Sequence, residues 1–439
     1  MTGAEVKRTL SAMLPGATIA ELARAYGVVE RAGKQDMELF VRSMILAAGD
    51  GRGGVQADVL RRYAQSAAPT VSRVAFYKWF NPPLEDLMAD FAGRAIAFAQ
   101  ALPVDVPAPF NCARDWHIFD SETVKVRRTA QSEWQGTGDY AALKVHKRYS
   151  IGCGAAVAYH VSPAIEHDSL HLEIDESWRG LGLLADLGYA SLARLRQCQQ
   201  FGVFVAIRLK QGWKPRVHNI GSGTLVGQFL PGTEFDAMVK SQSLVLDGRP
   251  IDLEVELGRG ANRLRIRLCG AHTPKGYCFY LTNLPTTISP GQVCQWYRVR
   301  WEIETSNKID KSVHRLAESQ AEKPCSIMVM VHASLIASIL TAALVHQHNL
   351  TTRPAETDGV RTRPPVHHNL LARALASAHF AFADALRLVG RHATKEWDRL
   401  AEYLVRAATD PNWKTRPSVL DQLRGWPPPK PKKKPSVGA

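Results

Sequence analysis

Between residues 116 and 210 the hydrophobic period switches from two to helical and back, and this limits the fold more than any other feature. Trp116-His-Ile-Phe-Asp120 is a short apolar run ending in an acid, and Thr123-Val-Lys-Val126 alternates. Leu143–Ser150 and Ala155–Val161 read as two further strands. Leu181–Tyr189 is a strand running into a turn that contains Gly188, followed by a helix over Ala190–Gln200 and a strand over Val203–Lys210. Three strands followed by strand–helix–strand predict a mixed α/β sheet.

The flanks have other periods. Residues 1–105 read as helical, with apolar helical spacing over Thr18–Tyr26, Lys34–Ala48, Val55–Ala67 and Leu84–Leu102. Val71–Phe80 follows a short turn and fits the second helix of a helix-turn-helix, presenting Arg73, Tyr77 and Lys78 to DNA; an ordinary amphipathic core helix fits equally well. Residues 211–286 are rich in Gly, Pro and alternating segments (Ser243–Leu246, Ile251–Leu257, Leu264–Leu268, Tyr277–Leu281) and predict an all-β insertion within a region spanning 106–325. Residues 326–425 read as helical again, and 426–439 form a basic Pro/Lys tail. Ser326–Val345 contains no Asp, Glu, Lys or Arg and is nominally long enough to span a bilayer. Its His332, serines and alanines favour a buried core helix.

The net charge of +14 over 439 residues favours a polyanionic partner, nucleic acid before membrane. Seven cysteines without a C-x-x-C pair argue against a disulfide framework or a zinc ribbon and fit a reducing cytoplasm. No phosphate-binding loop, G-x-S-x-G or H-E-x-x-H motif is present. Gly49–Gly54 reads as a loop, and His367-His368 as a weak metal hint on the surface.

One later segment carries chemistry. Tyr297, Arg300, Glu304 and Lys311 are spaced at 0, +3, +7 and +14, which places them within a helical sector of about 60°. Lys308 and Arg315 fall on or beside it. Val299, Ile303, Ile309 and Val313 occupy the opposite face and read as the buried side. A lone acid among cations suits a site that holds a divalent metal and a polyanion together. Asp120 and Asp186, each read at a strand end, add two carboxylates from distant segments. Three hard oxygen donors of this kind can bind two Mg²⁺ ions roughly 3.5–4 Å apart. For either Asp alone, a turn or helix-cap role is the plainer reading.

The Tyr-x2-Arg-x3-Glu-x6-Lys pattern, matched at all four positions, resembles the signature of the IS4 group of insertion-sequence transposases, the Tn5-like DDE enzymes. His117–Ser121, Ala185–Tyr189 with Phe204–Lys210, and Tyr280–Pro285 resemble, in order, the family's first-aspartate motif, its second, and the strand before the signature helix. Leu187 stands where an Arg is usual, and Glu122 where a Thr is common.

The resemblance implies an α/β, RNase H-like catalytic core with an all-β insertion, flanked by helical N-terminal and C-terminal regions. It implies a metal triad of Asp120, Asp186 and Glu304, working with Mg²⁺ or with Mn²⁺ in its place. Tyr297, Arg300 and Lys311 would grip phosphates near the scissile bond, and Trp301 would stack on a displaced base or simply pack. Arg298, Lys308, Arg208 and Lys210 are expected to add DNA contacts. Expected partners are terminal inverted repeats and target DNA, with a homodimer in the synaptic complex, residues 326–425 as the self-association region, and no membrane. An end-binding regulator that does not cut, or an RNase H-like nuclease that never joins ends, remain alternatives.

Overall fold

The computed structural model describes residues 1–29, 35–46, 48, 56–66, 71–108, 110–352, 364–413 and 415–426. The Gly49–Gly54 loop and the basic tail beyond Trp426 lie outside the described residues.

One ten-stranded sheet organises the middle of the chain. Its strands are β1 (Trp116–Lys125), β2 (Ala142–Ser150), β3 (Ala155–Pro163), β4 (Gly182–Ala185), β5 (Phe204–Arg208), β6 (Arg216–Ile220), β7 (Thr233–Glu234), β8 (Ile251–Leu257), β9 (Leu264–Thr273) and β10 (Gly276–Thr282). The spatial order is β3-β2-β1-β4-β5-β10-β9-β8-β6-β7. The first three strands are antiparallel, while β1, β4 and β5 are mutually parallel. This is the RNase H-like arrangement. β10 pairs with β5, so the strands of the expected insertion, residues 211–286, continue the same sheet. The insertion also carries one short helix, Phe235–Lys240, and Ser243–Leu246 makes only an isolated bridge between Val226 and Leu244.

Asp120 does not end a strand. The predicted segments 116–120 and 123–126 merge into β1, because β2 pairs along its full length from His117 to Lys125. β4 pairs with β1 only as far as Phe119↔Ala185, so Asp120 and Asp186 are the next residues on two neighbouring parallel strands. β4 approaches closely because Gly182 lies opposite Trp116, where a Cβ would run into the indole ring.

The helices preceding the sheet are α1 (Gly3–Met13), α2 (Gly16–Ala25), α3 (Met37–Leu46), α4 (Gln56–Ser66), α5 (Arg73–Lys78) and α6 (Pro82–Gln100). Within or beside the sheet lie α7 (Leu192–Gln200), α8 (Phe235–Lys240), α9 (Pro290–Tyr297) and α10 (Trp301–Ser312). After it come α11 (Pro324–Thr351), α12 (His368–Ser377), α13 (His379–Ala385), α14 (Gly390–Ala408) and α15 (Val419–Leu423). The two flanks share one hydrophobic core, in which Leu10, Phe40 and Phe91 meet Ile336, Leu340, Trp397 and Leu404. α11 is long and apolar enough to cross a membrane, and its apolar window lies wholly inside the protein. α5 is only six residues long, and Phe76 behind it packs among Phe40, Tyr63, Trp79 and Phe80. Its outward side carries Arg73 and Lys78, with the Arg73 guanidinium 5.3 Å from the Tyr77 ring centre.

His368 departs from its expected surface position. Its Nε2 is buried without a hydrogen-bond partner, its ring lies 6.2 Å from that of His314, and burial pushes its pKa down to about 3.

Candidate active site

The signature segment is two helices joined by a turn. α9 starts with a capping box, Ser289 with Gln292, and with Pro290 at its first turn. It ends at Tyr297, a 3₁₀ turn spans Arg298–Arg300, and α10 follows. The predicted apolar face holds: Val299, Ile303, Ile309 and Val313 are all buried. Trp296 fixes α9 by stacking on Phe110 at 4.1 Å and meeting Trp116 edge-on at 5.5 Å.

Alternation along β1 then decides what faces α10. Trp116 and Ile118 belong to the core that contains Trp296, Val299 and Ile303, whereas Phe119 belongs to the core on the other face. Asp120 and Glu122 continue the first row, towards the polar stripe of α10. Two contacts close the gap. Asn307 Nδ2 donates to Asp120 Oδ2 at 3.0 Å, and Lys311 Nζ pairs with Glu122 Oε1 at 2.6 Å. Four helical residues rise about 6 Å and two strand residues about 6.6 Å, so these contacts run in step. Past α10, the chain returns to the end of β1 through Lys125 N–Ala317 O at 3.0 Å and Ser319 N–Lys125 O at 2.8 Å.

The three predicted acids have different surroundings. Burial raises the Asp120 carboxyl to about 6, against the opposing pull of the Ser121 N–H and of the Arg300 and Lys147 charges. Asp186 is exposed, and its side chain makes no cap bond to the turn that follows. Glu304 is half-buried and accepts from Arg300 Nη2 at 2.6 Å. Among the described residues no three His, Cys, Asp or Glu side chains converge closely enough to hold one ion. The donor set nevertheless fits a hard divalent cation: three carboxylates from β1, the end of β4 and α10, with no thiolate or imidazole among them. Asn307 adds a buried carboxamide oxygen with no hydrogen-bond partner.

The expected DNA contacts divide into two groups. Tyr297 is buried, and its hydroxyl donates to the Ala185 carbonyl at 3.2 Å, tying α9 to the residue before Asp186. Arg300 and Lys311 are held by Glu304 and Glu122. Arg298, Lys308, Arg208 and Lys210 are exposed. Trp301 is 56% exposed, with the Lys308 ammonium 5.3 Å from its ring centre. Leu187 is half-buried against the core around α7.

Three residues at the site escape a sequence reading. Asn307 lies on the polar face one turn beyond Glu304, a position that helical spacing could have flagged. Lys147 and Asp310, an ion pair at 2.5 Å, meet only because β2 sets Lys147 opposite Asp120.

A family model described as the transposase DDE domain matches residues 114–340. Among solved structures the chain is similar to the piggyBac transposase in a synaptic complex with hairpin DNA, at 9% identity and a TM-score of 0.48, covering 93% of this chain and 86% of that one. No curated protein matches the chain. The family match runs from just before β1 through the whole sheet and α10 into α11, and so spans Asp120, Asp186 and Glu304. The chain therefore belongs to the DDE transposase family, the metal-dependent enzymes of DNA transposition.

Proposed function

We propose that the protein is the transposase of an IS4-group insertion sequence. It binds the terminal inverted repeats of its own element and moves that element by cut-and-paste, with strand cleavage at the ends and strand transfer into target DNA. Asp120, Asp186 and Glu304 are the metal-binding and catalytic triad, with Mg²⁺ as the working ion and Mn²⁺ as its substitute. The observation that carries this reading is the docking of the signature helix on Asp120 through Asn307, beside the strand that delivers Asp186.

Asp120, Asp186 and Glu304 would hold a divalent cation, which would supply the positive charge that lowers the cost of deprotonating an attacking water or 3′-hydroxyl and of releasing a 3′-oxygen. The chain's own residues do the rest. Arg300 holds Glu304 in the absence of DNA and, by exchanging that carboxylate for a phosphate, frees it for the triad. Lys311 makes the same exchange from Glu122. Arg298, Lys308, Arg208 and Lys210 supply backbone contacts, and Trp301 offers an exposed face for a displaced base. Tyr297 acts through Ala185, fixing the strand end that bears Asp186. Two ends require two active sites, so the synaptic species is a homodimer, with residues 326–425 as its self-association region. The site of action is the bacterial nucleoid, in the cytoplasm.

Incubation with DNA from the flanks of the gene, with and without Mg²⁺, tests the reading. Asp120→Ala, Asp186→Ala and Glu304→Ala should each lower cleavage about 100-fold or more while end binding persists. Mg²⁺-dependent cleavage retained in any one of them removes that residue from the triad. The pairing of Glu304 with Arg300 also suits a regulator that binds ends without cutting. Specific end binding with no nick, hairpin or strand-transfer product from the native sequence would select that reading.

A further inference from the structure

Asn307 satisfies only half of its carboxamide. Its Nδ2 donates to Asp120 Oδ2 at 3.0 Å, and its Oδ1 is buried with no hydrogen-bond partner, in a residue only 5% exposed. A neutral donor on one carboxylate oxygen adds no competing charge and helps fix the rotamer of the whole group, together with the Ser121 N–H. The position of Asn307 is itself held from two sides. One turn later on the same face, Asp310 is ion-paired with Lys147, the cross-strand neighbour of Asp120. Four residues on, Lys311 is ion-paired with Glu122. α10 therefore cannot slide along β1 without breaking two charge pairs, and Asn307 stays level with Asp120.

We propose that Asn307 is a positioning residue of the cation site: it aims the Asp120 carboxylate by donating to one oxygen, and so sets divalent-metal affinity. The inference rests on the assignment of Asp120 to the metal site. It concerns this chain's own asparagine, one helical turn from Glu304, and does not require Asn307 to touch DNA.

Mn²⁺ binding to the full-length protein without DNA, followed by the electron paramagnetic resonance of free Mn²⁺, tests it. Asn307→Leu keeps the volume and removes the donor; Asn307→Gln keeps a carboxamide donor on a longer arm; Asp120→Ala is the reference. Affinity should fall about tenfold in Asn307→Leu and stay within about threefold of the native value in Asn307→Gln. The two variants should have equal melting temperatures in EDTA. Native affinity in Asn307→Leu, with loss in Asp120→Ala, overturns the positioning role and leaves the triad standing. Native affinity in Asp120→Ala removes the triad assignment and the inference with it. An equal loss in Asn307→Gln and Asn307→Leu assigns the effect to packing and also overturns the proposal.

Discussion

Lys147 and Asp310 form an ion pair at 2.5 Å with their side chains 2% and 3% exposed, and Lys147 is the cross-strand neighbour of Asp120. A pair so enclosed holds α10 against β2, because separating its members leaves a charge with neither water nor counter-charge. The Lys147 ammonium also draws on the Asp120 carboxyl, opposing part of the upward shift that burial imposes.

Removing one member should therefore hurt more than removing both. Lys147→Ala is expected to destabilise the protein by about 3–5 kcal/mol, whereas Lys147→Met with Asp310→Leu should recover most of that loss. Urea denaturation of the two variants checks the order; a double variant no more stable than the single one would contradict it.

Arg300 competes for Glu304 when no DNA is bound. Arg300→Met should free the carboxylate and tighten Mn²⁺ binding to the DNA-free protein several-fold, while lowering end cleavage by roughly 10-fold or more. Calorimetric Mn²⁺ titration and a cleavage assay read the two effects separately. Unchanged metal affinity would mean that the ion pair does not gate Glu304.

Lys311 is 46% exposed at its side chain although it is paired with Glu122. If it transfers to a phosphate, Lys311→Ala should weaken binding to all DNA sequences alike and reduce the salt slope of log K by about one. Glu122→Gln removes the competing carboxylate and should tighten binding. Filter binding across a salt series distinguishes this from a purely internal role, in which neither slope nor affinity moves.

His332 lies in the first third of α11, 3.0 Å from the Tyr159 hydroxyl, and burial pushes its pKa down to about 4. It is neutral in the fold, and below about 6.5 the unfolded chain takes up a proton there. Stability should therefore fall as pH drops from about 6.5 towards 4, by at most about 1.4 kcal/mol per unit from this residue, and level off below that. His332→Phe should flatten the slope, as seen in chemical denaturation at pH 7, 5.5 and 4.5. Burial shifts His146 and His314 the same way, each to about 4, so some slope remains.

Local pattern sufficed for much of this molecule. The period switch after residue 116 announced the mixed sheet, and the spacing from Tyr297 to Lys311 picked out the signature segment with its buried face of Val299, Ile303, Ile309 and Val313. Those features are legible because hydrophobic period depends only on nearby residues. What the tertiary structure decided is which residues meet. Asp120 lies within β1, opposite Lys147, because β2 extends the strand past the point where β4 stops. Tyr297 turns inward to Ala185, Asn307 reaches Asp120 across 187 positions of sequence, and Glu122 takes the cation predicted for phosphate. Strand register and the partner of each polar side chain are set by long-range pairing, so no local period encodes them. They also determine which charges of the signature are free and which must first exchange a partner.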